Sequence, residues 1–207
     1  MKILSSKRKV QVIYYDSYNN YFPHPDFIYL DGIRIETDTN GYIDNDNKII
    51  RNVTMIWNKE IKSCVDMFNG LEDVIEIDLS NFDNSKVTNM NYMFYGCKQL
   101  KYINFGNIDT TSVRTMFSMF RNCISLLSLD LSNFKTVQLT NADNMFDNCL
   151  SLSSLNLSNF HTSHITTIRY MFSQCNSLTS LDLSNFNTSS VKYMSSLFSG
   201  CSSLKTI

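Results

Sequence analysis

Thiols have the widest chemical repertoire of any side chain in this sequence, and here they are periodic. Cys97, Cys123, Cys149, Cys175 and Cys201 are each 26 residues apart. A ladder of that kind could ligate a metal, close disulfides or fill a core. Coils stacked about 4.8 Å apart would hold inward parallel side chains with their Cβ atoms near that spacing, wider than the ~3.8 Å a disulfide prefers. No C-x-x-C pair and no histidine column completes a zinc site. Buried free thiols are therefore the favoured reading, with disulfides along the ladder as the alternative.

Other groups point more weakly to chemistry. The stretch ETDTNGYIDNDN at 36–47 sets Glu36, Asp38, Asn40, Gly41, Ile43 and Asp44 near the slots of a calcium loop. Glu stands at the first slot in place of Asp, however, and Asn47 stands where a bidentate Glu would close the site. Its flanks, IRI and KIIRNV, read as strands, so a polar hairpin turn is expected. His24, His161 and His164 are the only histidines, and the last two belong to polar turn positions of a single unit. No nucleophile–base pairing, phosphate loop or paired-acid spacing occurs, so neither catalysis nor a metal or other cofactor is expected. N-x-S/T triplets stand at Asn52, Asn156 and Asn187, which matter only for a chain secreted by a eukaryote.

The elements that would position these groups follow from the same period. Leu100, Leu126, Leu152, Leu178 and Leu204 stand three places after the cysteines, followed by Ile103, Leu129, Leu155, Leu181 and Ile207. An asparagine column runs through Asn81, Asn107, Asn133, Asn159 and Asn185. Five full units span 71–200 without insertion, after a degenerate unit at 51–70 and before a partial one at 201–207. A fixed period of this length predicts a solenoid, in which each unit is stable only when stacked on its neighbours. Within a unit, the L-x-L of SLDLSNF alternates as a short strand. Val87, Met90, Met93 and Phe94 fall at helical spacing, as do Val113, Met116, Met119 and Phe120. The pattern predicts a short helix that starts at Asn89, Thr115, Asn141 or Thr167 and stops at Gly96, Asn122, Asn148 or Gly200, with Gln174 a poorer stop. The fold expected is an α/β solenoid, a right-handed stack of parallel strands and short helices.

Residues 1–50 follow different rules. KVQVIYYD reads as a strand, FIYLDGIRIE as a hairpin turning on Asp31-Gly32, and a further strand is expected around Ile49–Trp57. This segment is expected to be a β-rich N-terminal cap on the first coil. At the other end the sequence stops at Ile207 inside a sixth strand, so further repeats or a partner are expected at that edge.

The repeat LSNF-x-T-x-x-V-x-x-M-x-x-MF-x-x-C-x-S-L, over about 53–207, resembles the BspA-like (DUF285) leucine-rich repeat, the 26-residue repeat of bacterial surface proteins. The resemblance implies a leucine-rich-repeat-like solenoid in surface proteins of bacteria and protists, acting in adhesion or host-protein binding without demonstrated chemistry. By that comparison the asparagine column is a ladder whose side-chain amides bond to backbone at the turns. The cysteine, methionine and phenylalanine columns are core.

Composition narrows the partner. Apolar residues make up 43% of the 207, and 18 basic against 19 acidic residues give a net charge of −1. That balance offers no electrostatic footing for nucleic acid or an anionic membrane. Nothing resembles a signal-peptide core or an apolar run long enough to span a membrane, so no direct membrane insertion is expected. The outward strand positions form a small polar face, with Asp78, Asn104, Asp130, Asn156 and Asp182 in one column and Tyr102, Ser128, Ser154 and Ser180 beside it. These residues are the candidate ligand surface, and a protein or glycan is the expected partner. The function expected is a non-enzymatic binding module in cell-surface adhesion or recognition, at the surface or outside the cell by resemblance. The alternatives are an intracellular, cytoplasmic interaction scaffold, to which the missing export signal points, and a structural array.

Overall fold

A computed structural model describes residues 1–4, 9–12, 24–36, 42–44 and 50–207. Strands β1 (Lys2–Leu4), β2 (Lys9–Gln11), β3 (Phe27–Leu30), β4 (Ile33–Ile35), β5 (Tyr42–Asp44) and β6 (Ile50–Ile56) precede the periodic region. β7 (Val74–Asp78), β8 (Tyr102–Asn104), β9 (Ser128–Asp130) and β10 (Ser154–Asn156) lie within it. A six-stranded sheet has the order β4-β3-β6-β1-β7-β8, and β9–β10 and β2–β5 are separate pairs.

The hairpin forms where the sequence places it. Leu30 pairs with Ile33 across Asp31 and Gly32, both at positive φ (50° and 85°), as a tight two-residue turn between twisted strands requires. β6 lies alongside β3, and its other edge takes β1, whose far edge pairs antiparallel with β7. The first four residues are thus a central strand, joining the hairpin sheet to the first 26-residue coil. Met1 adds a bond from its amino group to the Val53 carbonyl at 3.0 Å.

The α/β solenoid of parallel strands and short helices expected from the sequence is not what the chain forms. No helix occurs among the described residues, and the parallel strand pairing is confined to β7–β8, at the edge of the six-stranded sheet, and β9–β10, instead of one ladder. The residues expected to be helical are tandem turns. In 90–97, Met93 N–H donates to Met90 O, Tyr95 to Tyr92 and Cys97 to Phe94. The amides between them point elsewhere: Met90, Tyr92, Phe94 and Gly96 donate to Thr115, Phe117, Met119 and Arg121 of the next coil, at 2.9–3.0 Å. The same four rungs recur from 64–70 through 168–174. A helix must keep every amide bond inside itself, so a backbone that gives alternate amides to its neighbour cannot be helical.

Two left-handed residues per turn produce this alternation. Gly70, Gly96, Asn122, Asn148, Gln174 and Gly200 have φ of 58–77°, so the residues read as helix stops do adopt the left-handed conformation. A second column, Asp66, Tyr92, Ser118, Asn144, Tyr170 and Ser196, has φ of 54–59°. Each is the third residue of a four-residue turn, the site where a type II turn needs positive φ. The corners of such turns, i and i+3, fall on the same side, which reproduces the apolar spacing of a helix. Asn89, Thr115, Asn141 and Thr167, expected as helix caps, instead carry parallel bridges from coil to coil.

Spacing explains the choice. Phe68, Phe94, Phe120, Phe146, Phe172 and Phe198 stack with centroids 5.3–5.6 Å apart and ring planes within 11° of parallel. Hydrogen-bonded coils repeat every ~4.8 Å, whereas packed helices need 8–10 Å between axes. Tandem turns keep this side at the pitch of the strand side. Around the ring stack, Val113, Met116, Met119, Phe120, Cys123, Leu126 and Leu131 of one coil are fully buried.

Phe120 lies between two rings of that stack, so Phe120→Ala leaves a cavity that both neighbours border. The expected loss is about 3–5 kcal/mol, read as a lowered midpoint in urea unfolding, with Phe120→Leu losing clearly less. Equal losses for the two variants would show that the rings do not act as a stack.

Candidate binding faces

The outward strand face is exposed and in register. Tyr102 lies beside Glu76, Asn104 beside Asp78, Ser154 beside Ser128 and Asn156 beside Asp130. Ser180 and Asp182 continue the face outside any strand, and Ser180 bridges to Thr206. Each Asp or Asn of the column accepts the amide two residues on: Ser80 to Asp78, Gly106 to Asn104, Ser132 to Asp130, Ser158 to Asn156 and Ser184 to Asp182, at 2.9–3.1 Å. The column is therefore also a row of Asx turns that end each strand. Asp and Asn interchange because either oxygen can accept. The Ser80 amide, aided by its hydroxyl, lowers the Asp78 carboxyl pKa, and the Ser184 hydroxyl and amide lower that of Asp182. Asn104 Nδ2 also donates to Asp78 Oδ1 at 3.1 Å, so one amide–carboxylate pair links two coils.

The cysteines line up along one column and are free. Each Sγ donates back to a phenylalanine carbonyl of the preceding coil, Cys97 to Phe68, Cys123 to Phe94, Cys149 to Phe120, Cys175 to Phe146 and Cys201 to Phe172, at 2.9–3.3 Å. A thiol suits the position because it packs as a small apolar group and still offers a donor to a buried carbonyl. Burial pushes the Cys97 and Cys175 thiols up to about 12 and raises Cys123 and Cys149 as well. Among the described residues no group of three His, Cys, Asp or Glu side chains could hold a metal ion. Asp38, Asn40, Gly41 and Asn47 of the calcium-loop candidate lie outside the described residues.

The asparagine column sits at the surface. Asn133, Asn159 and Asn185 donate to the carbonyls of Gly106, Ser132 and Ser158 in the preceding coil. Asn81 and Asn107 make no such bond, and all five side chains are exposed. The buried polar ladder runs instead through Asn84, Thr110, Thr136 and Thr162. Asn84 Nδ2 donates to Asp109 O and its Oδ1 accepts Asp109 N–H, while Thr162 Oγ1 bonds both N–H and C=O of Asn187. Its signal was the T of the repeat, which stood in the motif beside the more conspicuous Asn.

Two concavities were not foreseen. A cleft of about 770 Å³ lies where residues 53–61 face 77–86, with Trp57 and Phe82 in edge contact at 5.6 Å and Asp83 and Lys86 on its wall. A recess of about 540 Å³ opens on the tandem-turn side between Phe117, Arg121, Asp143, Asp147, Arg169 and Tyr170.

Stacked 26-residue coils, a polar strand face and a buried thiol column together define a tandem-repeat protein. The family model described as "Mycoplasma protein of unknown function, DUF285" matches residues 62–155 and 127–206, and the chain belongs to that family. No curated protein and no solved structure matches it.

The thiol geometry sets an order of reactivity. Cys201, half-buried in the last coil, is expected to react first with Ellman's reagent at pH 8, while Cys97, Cys123, Cys149 and Cys175 react only in denaturant. Prompt labelling of all of them in native buffer would show that the stack opens freely. Because folding raises these thiol pKa values, the stability they confer is complete below the free-thiol value near 8.5. It declines as pH climbs from there toward 12, so unfolding midpoints should fall across that alkaline window.

Proposed function

We propose that this chain is a non-enzymatic binding module of the BspA-like leucine-rich repeat kind, displayed at a cell surface for adhesion or recognition. The observation that carries the reading is the registered strand face of Asp78, Tyr102, Asn104, Ser128, Asp130, Ser154, Asn156, Ser180 and Asp182. Inward columns alone fix the packing, which leaves this face flat, exposed and hydrogen-bonding. Small polar groups on a flat face gain little from any one contact, so they favour a ligand that spans several coils, such as a glycan or an extended protein. A second reading, an intracellular scaffold, is favoured by the six unpaired thiols. Fluorescent tagging of the full-length protein separates the two, and a purely cytosolic signal would remove the surface assignment.

The face is tested by changes that leave the Asx turns intact. Asn already occupies this column at 104 and 156, so Asp130→Asn with Asp182→Asn removes charge but keeps the acceptor, and Tyr102→Ser removes the one aromatic. On an immobilised oligosaccharide array the triple variant is expected to bind at least tenfold more weakly, with a thermal midpoint within about 2 °C of wild type. Undiminished binding by the triple variant would place the site elsewhere.

A further inference from the structure

We infer that the recess on the tandem-turn side is a second binding site, which receives an extended segment of a protein partner. The inference takes from the preceding section only that the chain binds other molecules. The strand face repeats the same small residues from coil to coil, whereas the turn columns change at every step. One reads Asn91, Phe117, Asp143, Arg169 and another Tyr95, Arg121, Asp147, Ser173. Of the five tyrosines after residue 90, Tyr92, Tyr95, Tyr170 and Tyr193 lie on the turn side, and only Tyr102 on the strand face. Tyrosine and arginine are the residues that dominate protein interfaces.

The floor of the recess is built, not incidental. Asp143 and Asp147 are only 7% and 8% exposed. Asp143 Oδ1 accepts the Arg169 amide and the Thr167 hydroxyl, and its Oδ2 lies 3.9 Å from Arg169 Nη1. Asp147 Oδ2 lies 2.9 Å from Arg121 Nε. Arg169 is further held over the Tyr193 ring at 4.2 Å. All of these contacts bridge neighbouring coils, and the two bonds of Asp143 Oδ1 repeat those of Asn91 Oδ1 two coils earlier. Ion pairs whose arginine side chains are 39% and 42% exposed, however, add little net stability, so the charges themselves are not explained by stability alone. What they do achieve is to hold two half-exposed guanidinium groups, which carry only donors, in a recess that Phe117 and the exposed Tyr170 also line.

Two arginines and two aspartates leave the recess electrically neutral, so a highly charged ligand gains nothing from it. The complement of fixed forked donors beside aromatic rings is a row of acceptors next to an apolar group. A peptide in extended conformation supplies that: backbone carbonyls for the arginines and one apolar or aromatic side chain for the space between Phe117 and Tyr170.

A random dodecapeptide display library selected on the whole chain tests this. Tyr170→Ser is compatible with the backbone, since Ser118 and Ser196 hold the same left-handed position. Arg169→Lys keeps the charge opposite Asp143 but loses the fork. Peptides enriched on wild type are expected to share an apolar or aromatic residue and to bind at least tenfold more weakly to both variants. The same peptides should bind Asp130→Asn/Asp182→Asn as wild type does. Peptides that bind Tyr170→Ser undiminished, or a library that yields no binders, would overturn the inference and leave the strand-face reading to its own array experiment. Loss of oligosaccharide binding on Tyr170→Ser would also overturn it, making the recess a saccharide site.

Discussion

Alternate amides of the tandem turns donate to carbonyls 25 residues ahead, and the rest of the structure is arranged around that commitment. The bonds fix a pitch of about 5 Å on the turn side, equal to that of the paired strands opposite. A common pitch on both sides allows every column to repeat without drift. It brings six phenylalanine rings into one parallel stack and points each thiol at the carbonyl of the coil behind it. It also excludes helices, which cannot approach so closely.

The cost is carried by backbone conformation. Each tandem-turn segment holds two residues at positive φ, and in the second column none is glycine: Asp66, Tyr92, Ser118, Asn144, Tyr170 and Ser196 all accept the left-handed state. For an L-residue this costs roughly 1–2 kcal/mol. Four turn-side intercoil bonds per interface, with others beyond the turns, and a buried apolar interior offset it. Where the geometry is tightest even a methyl group is excluded, since a Cβ at Gly106 would lie 2.5 Å from the Ser80 backbone. That coil is also where Phe105-Gly106 replaces the Leu-Ser of its neighbours and where the parallel pairing between β8 and β9 is interrupted.

Division of labour between the faces follows. On the strand face the Asp/Asn column is tied to its own backbone, which accounts for its regularity and leaves flatness and exposure as the features a ligand would meet. On the turn side the inward corners repeat while the intervening positions vary from coil to coil, and there tyrosine, phenylalanine and arginine gather. The cleft beside Trp57 lies where residues 53–61 face 77–86.

By itself the sequence determined the period, the inward columns, the hairpin at Asp31-Gly32 and the left-handed residues that end each turn. All of these are read from side-chain chemistry at a fixed spacing. It did not determine that 90–97 is turn and not helix, because turn corners and helix faces share the i, i+3 spacing and differ only in where the amides point. Nor did it mark Met1–Leu4 as a central strand, Thr110 and Thr136 as the buried polar ladder, or Phe117 and Tyr170 as walls of one recess. Those were decided by tertiary structure, since each depends on which backbone group of another coil, 25 or more residues away, stands within bonding distance.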